Sequence, residues 1–277
     1  MSPLSVADEF SRRMGNRAGL GAPLRRDFVL MKASQQTSPL GSLMNSRSGG
    51  GGGRGGGTRL ALVVTCLWVC SARPYQSQRS ARWWAEMIGL ADPGKAGSRT
   101  VRSNFQELES RGFLIYASGK RQGLNPIITL CNEAKPHETY ELPAEAGDSY
   151  FRIPDSLWRR PGILGGMDGS ALAMYLILLH YYRQDRSMGD GTWFAAGSFA
   201  ERHGMSEATK NKGLDRLVDL GVARVHEKWL DGESDTGNGY RSFRRRYYNL
   251  DPVFCPPPPS ARPRANAPSP SNVDQRG

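Results

Sequence analysis

The chain of 277 residues is poor in cysteine, has fewer acidic than basic side chains, and contains no long apolar run. None of its four cysteines lies in a Cys-x-x-Cys pair, so neither a disulfide framework nor a zinc ribbon is expected. Cys66 and Cys70 are spaced for one face of a helix, but no nearby pair of His or Asp side chains completes a metal site. We therefore expect free thiols, a reducing cytoplasmic setting and no bound metal.

The longest apolar run, Leu60–Cys70, is shorter than the ~20 residues that a helix needs to cross a bilayer. It also lies too far from the N-terminus to be the apolar part of a signal peptide. The sequence therefore predicts neither a membrane partner nor export.

Motifs that carry catalysis are missing as well. The tract Gly51–Gly57 lacks the lysine of a phosphate-binding loop, and neither a His-Glu-x-x-His nor a Gly-x-Ser-x-Gly motif occurs. The histidines are scattered without the spacing of metal ligands, and no carboxylates form a recognisable pair. We therefore expect a protein that is not an enzyme and that binds no cofactor.

What the chain does have is positive charge. It carries 37 Lys and Arg against 26 Asp and Glu, a net charge of +11, with a calculated isoelectric point near 9.8. Residues 58–135 hold 11 basic and 5 acidic side chains, whereas residues 136–196 hold 5 and 8. A basic chain attracts polyanions, and duplex DNA is the densest common one.

Composition divides the chain into two folded segments with unstructured ends. Residues 1–57 show no sustained period and end in a glycine-rich tract, which predicts a disordered arm. Residues 255–277 are rich in proline and predict a disordered tail. Residues 133–148 are acidic, contain two prolines and predict a linker. The folded segments are then residues 58–132 and 149–254.

Three interpretations of the N-terminal arm stay open. In the first, its arginines, notably Arg47, Arg54 and Arg59, contact the phosphates of a nucleic acid. In the second the arm is a passive linker. In the third, translation starts later, at Met31 or Met44.

The sequence predicts the same order of elements in both folded segments: helix, strand, helix, turn, helix and hairpin. In the second segment the predicted elements are a helix over Ser170–Gln184, a short strand at Trp193-Phe194, helices over Ser198–His203 and Glu207–Leu220, and strands over Val222–Leu230 and Ser242–Leu250. In the first they are helices over Leu60–Ser71, Ser80–Ile88 and Ser98–Arg111, and strands over Phe113–Ala117 and Pro126–Leu130.

The third helices of the two segments align without a gap, at a constant offset of 109 residues. The aligned pairs are Thr100 with Thr209, Phe105 with Leu214, Leu108 with Leu217, and Gly112 with Gly221. An internal repeat of this size indicates two copies of one structural unit.

The stretch Ser98-Arg-Thr-Val101, followed by Leu108-Glu-Ser-Arg-Gly112-Phe-Leu114, resembles the third helix and first wing strand of the winged helix-turn-helix superfamily. The resemblance implies an α+β, mostly α fold, with two tandem winged helix-turn-helix domains between disordered N- and C-terminal arms. It also implies sequence-specific binding of double-stranded DNA by a bacterial transcriptional regulator.

Two alternatives stay open beside the regulator. Tandem winged helices also resemble plasmid or mobile-element replication initiators that bind origin repeats, and Tyr150–Pro154 with Leu157-Trp158 is similar to a block found there. The other alternative is a protein-interaction module without DNA binding, and a homodimer or a protein partner is left open with it. It is favoured by Lys210, which replaces an expected apolar residue, and by the acidic linker. The long turn Ala91–Gly97 before the third helix of the first copy is a second departure from the pattern and, like Lys210, is expected to weaken DNA binding by its own copy.

In this superfamily the third helix enters the major groove, and the wings lie along the backbone or in the minor groove. The candidate DNA-binding residues are therefore of three kinds: the outward face of the first copy (Arg99, Arg102, Ser103 and Gln106), the matching face of the second (Thr209, Asn211, Lys212 and Arg216), and the wings (Lys120, Arg121, Arg241, Arg244, Arg245 and Arg246). A solvated basic edge that deters aggregation is the competing interpretation of the second wing. Trp83, Trp84 and Trp193 are expected in the core.

Overall fold

The computed structural model describes residues 5–32, 35–45, 55–117, 124–183, 191–195, 197–233 and 240–256. The helices of these residues are α1 (Val6–Met14), α2 (Pro39–Met44), α3 (Gly55–Val69), α4 (Ala81–Met87), α5 (Ala96–Ser110), α6 (Pro143–Ala146), α7 (Ser156–Arg159), α8 (Ile163–Gly166), α9 (Gly169–Tyr181), α10 (Ser198–His203) and α11 (Glu207–Asp219). The strands are β1 (Ala22–Arg25), β2 (Gln76–Gln78), β3 (Leu114–Ala117), β4 (Ile127–Leu130), β5 (Tyr150–Ile153), β6 (Ala223–Glu233) and β7 (Tyr240–Leu250). The predicted α+β class is confirmed.

The strands form three small antiparallel sheets, of order β1-β5, β2-β4-β3 and β6-β7. In the hairpin of β6 and β7 the register runs from Ala223 opposite Leu250 to Glu233 opposite Tyr240. Thr192 adds an isolated antiparallel bridge to Tyr248 on the other side of β7. This bridge is the counterpart of β2 beside β4, and it replaces the short strand predicted at Trp193-Phe194.

The order of elements is the same in the two predicted segments. From α3 to β4 it is helix, strand, two helices and a hairpin, and from α9 to β7 it is helix, bridge, two helices and a hairpin. The third helices also end alike. The Phe113 N–H donates to the Leu108 carbonyl at 3.0 Å, and the Val222 N–H donates to the Leu217 carbonyl at 2.9 Å. Gly112 and Gly221, with φ of 78° and 67°, supply the left-handed turn that both ends need.

Helices α3 and α9 are apolar on nearly all sides, which is typical of helices buried at the centre of a fold. They pack against each other, so that a Cβ built on Gly57 would lie 2.8 Å from the backbone nitrogen of Gly169. Beside them, Trp68 stacks on Trp158 with ring centroids 4.6 Å apart. One core cluster therefore contains residues of both copies.

The prediction of a disordered arm over residues 1–57 is wrong for its described parts. Strand β1 pairs with β5, and the side chains of Leu24, Phe28 and Leu40 are fully buried. Gly55, Gly56 and Gly57, expected in the flexible tract, form the first turn of α3. Strand β1 and helix α2 are too short to show a period in the sequence and are held by partners far along the chain. Helix α1 is amphipathic and begins at the Ser5 cap, so its signal is local. Residues 46–54, with Arg47 and Arg54, lie outside the described residues.

The prediction of a linker over residues 133–148 is also wrong. Glu133 and Tyr140 are buried, and Pro143–Ala146 forms α6. This segment packs because Glu133 is the ion-pair partner of Arg25 in β1. The predicted tail, residues 255–277, is described only to Pro256, so its disorder stays a prediction.

The cysteines are free thiols, and three of them, Cys66, Cys70 and Cys131, are buried. Burial raises the pKa of the Cys70 thiol to about 12 and raises that of Cys66 as well. Within the described ranges, no three His, Cys, Asp or Glu side chains cluster as metal ligands would. Nor does any helix in those ranges combine the length and the apolarity needed to cross a bilayer.

Candidate nucleic-acid interface

Helix α5 is held by its apolar face. Val101, Phe105 and Leu108 are buried, and the Phe105 ring lies 5.4 Å from Trp84, edge to face, and 5.6 Å from Tyr116, stacked. The turn before the helix is tied down too. The Asp92 carboxylate accepts the Ala96 N–H at 3.1 Å. The orientation of α5 is therefore fixed, and its opposite face points away from the core.

The four side chains predicted for that opposite face, Arg99, Arg102, Ser103 and Gln106, are all exposed. Neither arginine forms an ion pair with a described residue. Their expected exposure is confirmed, and their contact with DNA stays a prediction. Both guanidinium groups lie in the first two turns of α5, where the helix dipole adds positive potential.

The carboxylates of α5 lie at its other end and are used within the protein. Glu107 pairs with Arg111 at 2.7 Å, and Glu109 accepts the backbone N–H of Tyr116 at 2.9 Å. Arg111 in turn donates to the Asn45 carbonyl at 3.2 Å. The outward face near the start of α5 therefore carries positive charge that no carboxylate in the described part of the chain pairs with.

The matching face of α11 differs from this arrangement. Arg216 is half-buried and donates twice to the Gly166 carbonyl, through Nε at 3.0 Å and Nη2 at 2.8 Å. Lys212 pairs with Asp168 at 2.9 Å. The prediction that α11 presents four outward polar side chains is wrong for Arg216, because its guanidinium satisfies the carbonyl at the end of α8.

Two further residues of α11 remain at the surface. Asn211 is exposed, and Thr209 is half-buried with its hydroxyl 2.9 Å from that of Ser206, which caps the helix. Lys210, the departure from the superfamily pattern, is only 7% exposed. Its ammonium forms an ion pair with Glu207 and lies 5.5 Å from the ring centroid of Phe199. The fold therefore accommodates a lysine at a position where the pattern expects an apolar side chain.

The hairpin of β6 and β7, which the sequence predicts to be the second wing, carries cations on both of its faces. On one face, the Glu227 carboxylate lies 3.0 Å from Arg244 and 3.1 Å from Arg246, so a single acid is shared by two arginines. On the other face, the guanidinium of Arg245 lies 3.8 Å from the ring centroid of Trp193. The cluster is therefore net positive even after its internal pairing.

A groove of about 580 Å³ runs between α11, the wing and the segment around Trp193. It is lined by Trp193, Phe194, Ala195, Lys210, Asn211, Leu214, Asp215, Arg244, Arg245, Arg246 and Tyr248. Four of these side chains are cationic and one is acidic. We call this feature the wing groove. Its positive lining suits a phosphate chain, as charge complementarity requires.

The tryptophans divide between core and surface. Trp84 is fully buried, as predicted, and Trp83 is half-buried against Phe10. The prediction that Trp193 is in the core is wrong, because 41% of it is exposed beside the wing groove. Trp229 is 71% exposed and was not singled out from the sequence. Val225, Glu227 and Trp229 lie at every second position of β6 and therefore share one face of the strand. The charged Glu227 on that face is the signal that could have placed Trp229 at the surface.

Three candidates cannot be placed. Lys120 and Arg121 lie outside the described residues, and the side chain of Arg241 is not described. Their contact with DNA stays a prediction.

No protein-family model, no curated protein and no solved structure matches the chain.

Proposed function

We propose that the chain is a sequence-specific double-stranded DNA-binding protein, a bacterial transcriptional regulator of the cytoplasm, built from two tandem winged helix-turn-helix units. The observation that carries the proposal is the outward face of α5. It presents two exposed arginines that pair with no carboxylate of a described residue, together with a serine and a glutamine, on a helix whose other face is fixed in the core.

These residue types suit the major groove. Arginine pairs bidentately with guanine and glutamine with adenine, and each such pair contributes about 1–3 kcal/mol of discrimination against a wrong base. A fixed helix is needed for this, because base edges are read only when the side chains keep a constant register. The anchoring of α5 by Phe105, Trp84 and Tyr116 supports that role.

The proposal is tested by binding the full chain to a random-sequence duplex library and recovering the sequences it selects. We expect a defined consensus and an affinity that falls steeply with salt. Arg99→Ala combined with Arg102→Ala is expected to remove the consensus, and both side chains are exposed, so the variant should fold. No enrichment with the wild-type chain, together with capture of one defined protein partner, would make the chain an interaction module instead.

A second candidate function is replication initiation from origin repeats. It is favoured by the block over residues 150–158, which joins the two copies. Strand β5 pairs with β1, and Trp158 donates its indole N–H to Thr65 of α3 at 2.9 Å while stacking on Trp68. A rigid pair of units suits directly repeated sites. Maintenance of a plasmid that depends on this chain and on the selected sequence would favour the initiator over the regulator.

A further inference from the structure

The two copies differ in what their third helices leave available for DNA. In α5, Arg99 and Arg102 form no ion pair with a described residue, and both side chains are exposed to solvent. In α11, Arg216 is held by the Gly166 carbonyl and the buried Lys210 by Glu207, while Lys212 is 69% exposed and pairs with Asp168. Bidentate pairing with guanine is made by a free guanidinium edge, and the single guanidinium of α11, that of Arg216, is already engaged by the Gly166 carbonyl.

The second copy presents a cluster of arginines on its wing. Arg244 and Arg246 are more than half exposed, and they share one carboxylate, that of Glu227. Trp229, 71% exposed, lies opposite Arg244 in the hairpin, and Trp193, 41% exposed, lies under Arg245 on the other face, so each face offers flat apolar surface beside a guanidinium group. Such a surface recognises a charged chain with sugar rings, since it requires charge and contact area but no register with base edges.

From this difference we infer a division of labour, which rests on the DNA-binding function proposed above. The first copy reads the base sequence through α5. The second copy binds the sugar-phosphate backbone of the same duplex in the wing groove and contributes affinity without base preference. The core shared by α3 and α9 keeps the two contacts at a fixed separation.

The test compares two duplexes of equal length and composition, one carrying the selected sequence and one scrambled. Affinities are measured by fluorescence anisotropy across a series of salt concentrations. Arg244→Ala with Arg246→Ala is expected to weaken binding to both duplexes by the same factor, on the order of 10-fold. It should also reduce the slope of log affinity against log salt by about 1–2.

Glu227→Gln provides a test in the opposite direction. It removes the carboxylate that Arg244 and Arg246 share, so binding to both duplexes is expected to tighten several-fold, by roughly the effect of one added cation. A matched control removes two exposed cations elsewhere, by Lys135→Ala with Arg160→Ala, and is expected to leave the salt slope unchanged.

Asn211→Ala tests whether α11 reads bases. We expect the ratio of the two affinities, selected over scrambled, to stay the same. A fall in that ratio, with this variant or with the wing variant, would overturn the division of labour while leaving DNA binding intact.

Two other results bear on the wing groove. The first concerns the Arg244→Ala, Arg246→Ala variant. If it binds both duplexes as tightly as the Lys135→Ala, Arg160→Ala control but no longer binds polyglutamate, an acidic protein segment occupies the groove and the inference is overturned. If the wild-type chain binds neither duplex, the proposed function itself fails. The two failures are therefore distinguishable.

Discussion

Arg25 and Glu133 form a buried ion pair, with Nη1 2.7 Å from Oε2 and with 3% and 2% of the two side chains exposed. The same carboxylate accepts the backbone N–H of Arg25 at 3.0 Å, and the guanidinium donates to the Glu141 carbonyl at 2.6 Å. The pair ties β1 to the segment that follows β4. Through this contact, two segments that the sequence predicts to be an arm and a linker pack against each other as parts of the fold.

Replacing Arg25 by Met leaves the Glu133 carboxylate buried without its partner. Loss of one member of a buried pair is expected to lower the free energy of unfolding by about 3–5 kcal/mol. Urea unfolding followed by circular dichroism measures it. The matched control is Arg13→Met, which breaks an exposed pair with Glu9 and should cost less than about 1 kcal/mol. Equal losses in the two variants would contradict the structural role of the buried pair.

Gly213 sets how closely α11 approaches α9. A Cβ at this position would lie 2.3 Å from the Ser170 carbonyl oxygen and 2.7 Å from the Met174 side chain. Because the nearest atom is backbone, Gly213→Ala should force the helices apart and cost about 1–3 kcal/mol in thermal or urea unfolding. Gly94→Ala, which meets no atom within 4 Å, is the control and should leave stability nearly unchanged. A neutral Gly213→Ala would show that the helices are less tightly packed.

His180 makes stability depend on pH. Burial, reinforced by the charges of Arg26 and His203 and opposed by that of Asp27, lowers the pKa of His180 to about 4. In the unfolded chain the pKa is about 6.5, so the unfolded state takes up a proton first as pH falls. The contribution of His180 to stability is therefore complete above pH ~6.5 and is lost progressively between that value and pH ~4.

Urea midpoints measured from pH 7.5 down to pH 4.5 test this dependence. The wild-type midpoint should fall over that range, and His180→Gln, which cannot take up the proton, should show a shallower fall. Parallel curves for the two proteins would assign the acid sensitivity to other groups.

Local sequence patterns are enough to predict α5 and α11, the third helices of the two segments. The apolar spacing of Phe105 and Leu108 and of Leu214 and Leu217 orients each helix, and Gly112 and Gly221 end them. These signals lie within a few residues of one another, and they gave the element order of both copies. They also placed Arg99 and Arg102 on the outward face of α5.

The remaining features depend on partners distant in the chain. Arg25 meets Glu133 across 108 residues, and Arg216 meets the Gly166 carbonyl across 50 residues. No local period encodes such a contact, so the sequence alone predicts a free Arg216 and a disordered segment at β1. Trp193 was placed in the core on residue type alone, although its neighbours leave it at the rim of the wing groove.

The most direct test of the central claim compares the wild-type chain with Arg102→Ala on the selected duplex and on every single base-pair variant of it. If α5 reads the major groove, the wild type should lose about 1–3 kcal/mol of binding free energy at each contacted pair. Arg102→Ala should lose its discrimination at one G·C pair and keep it elsewhere. An unchanged profile of preferences in Arg102→Ala would contradict base recognition by α5.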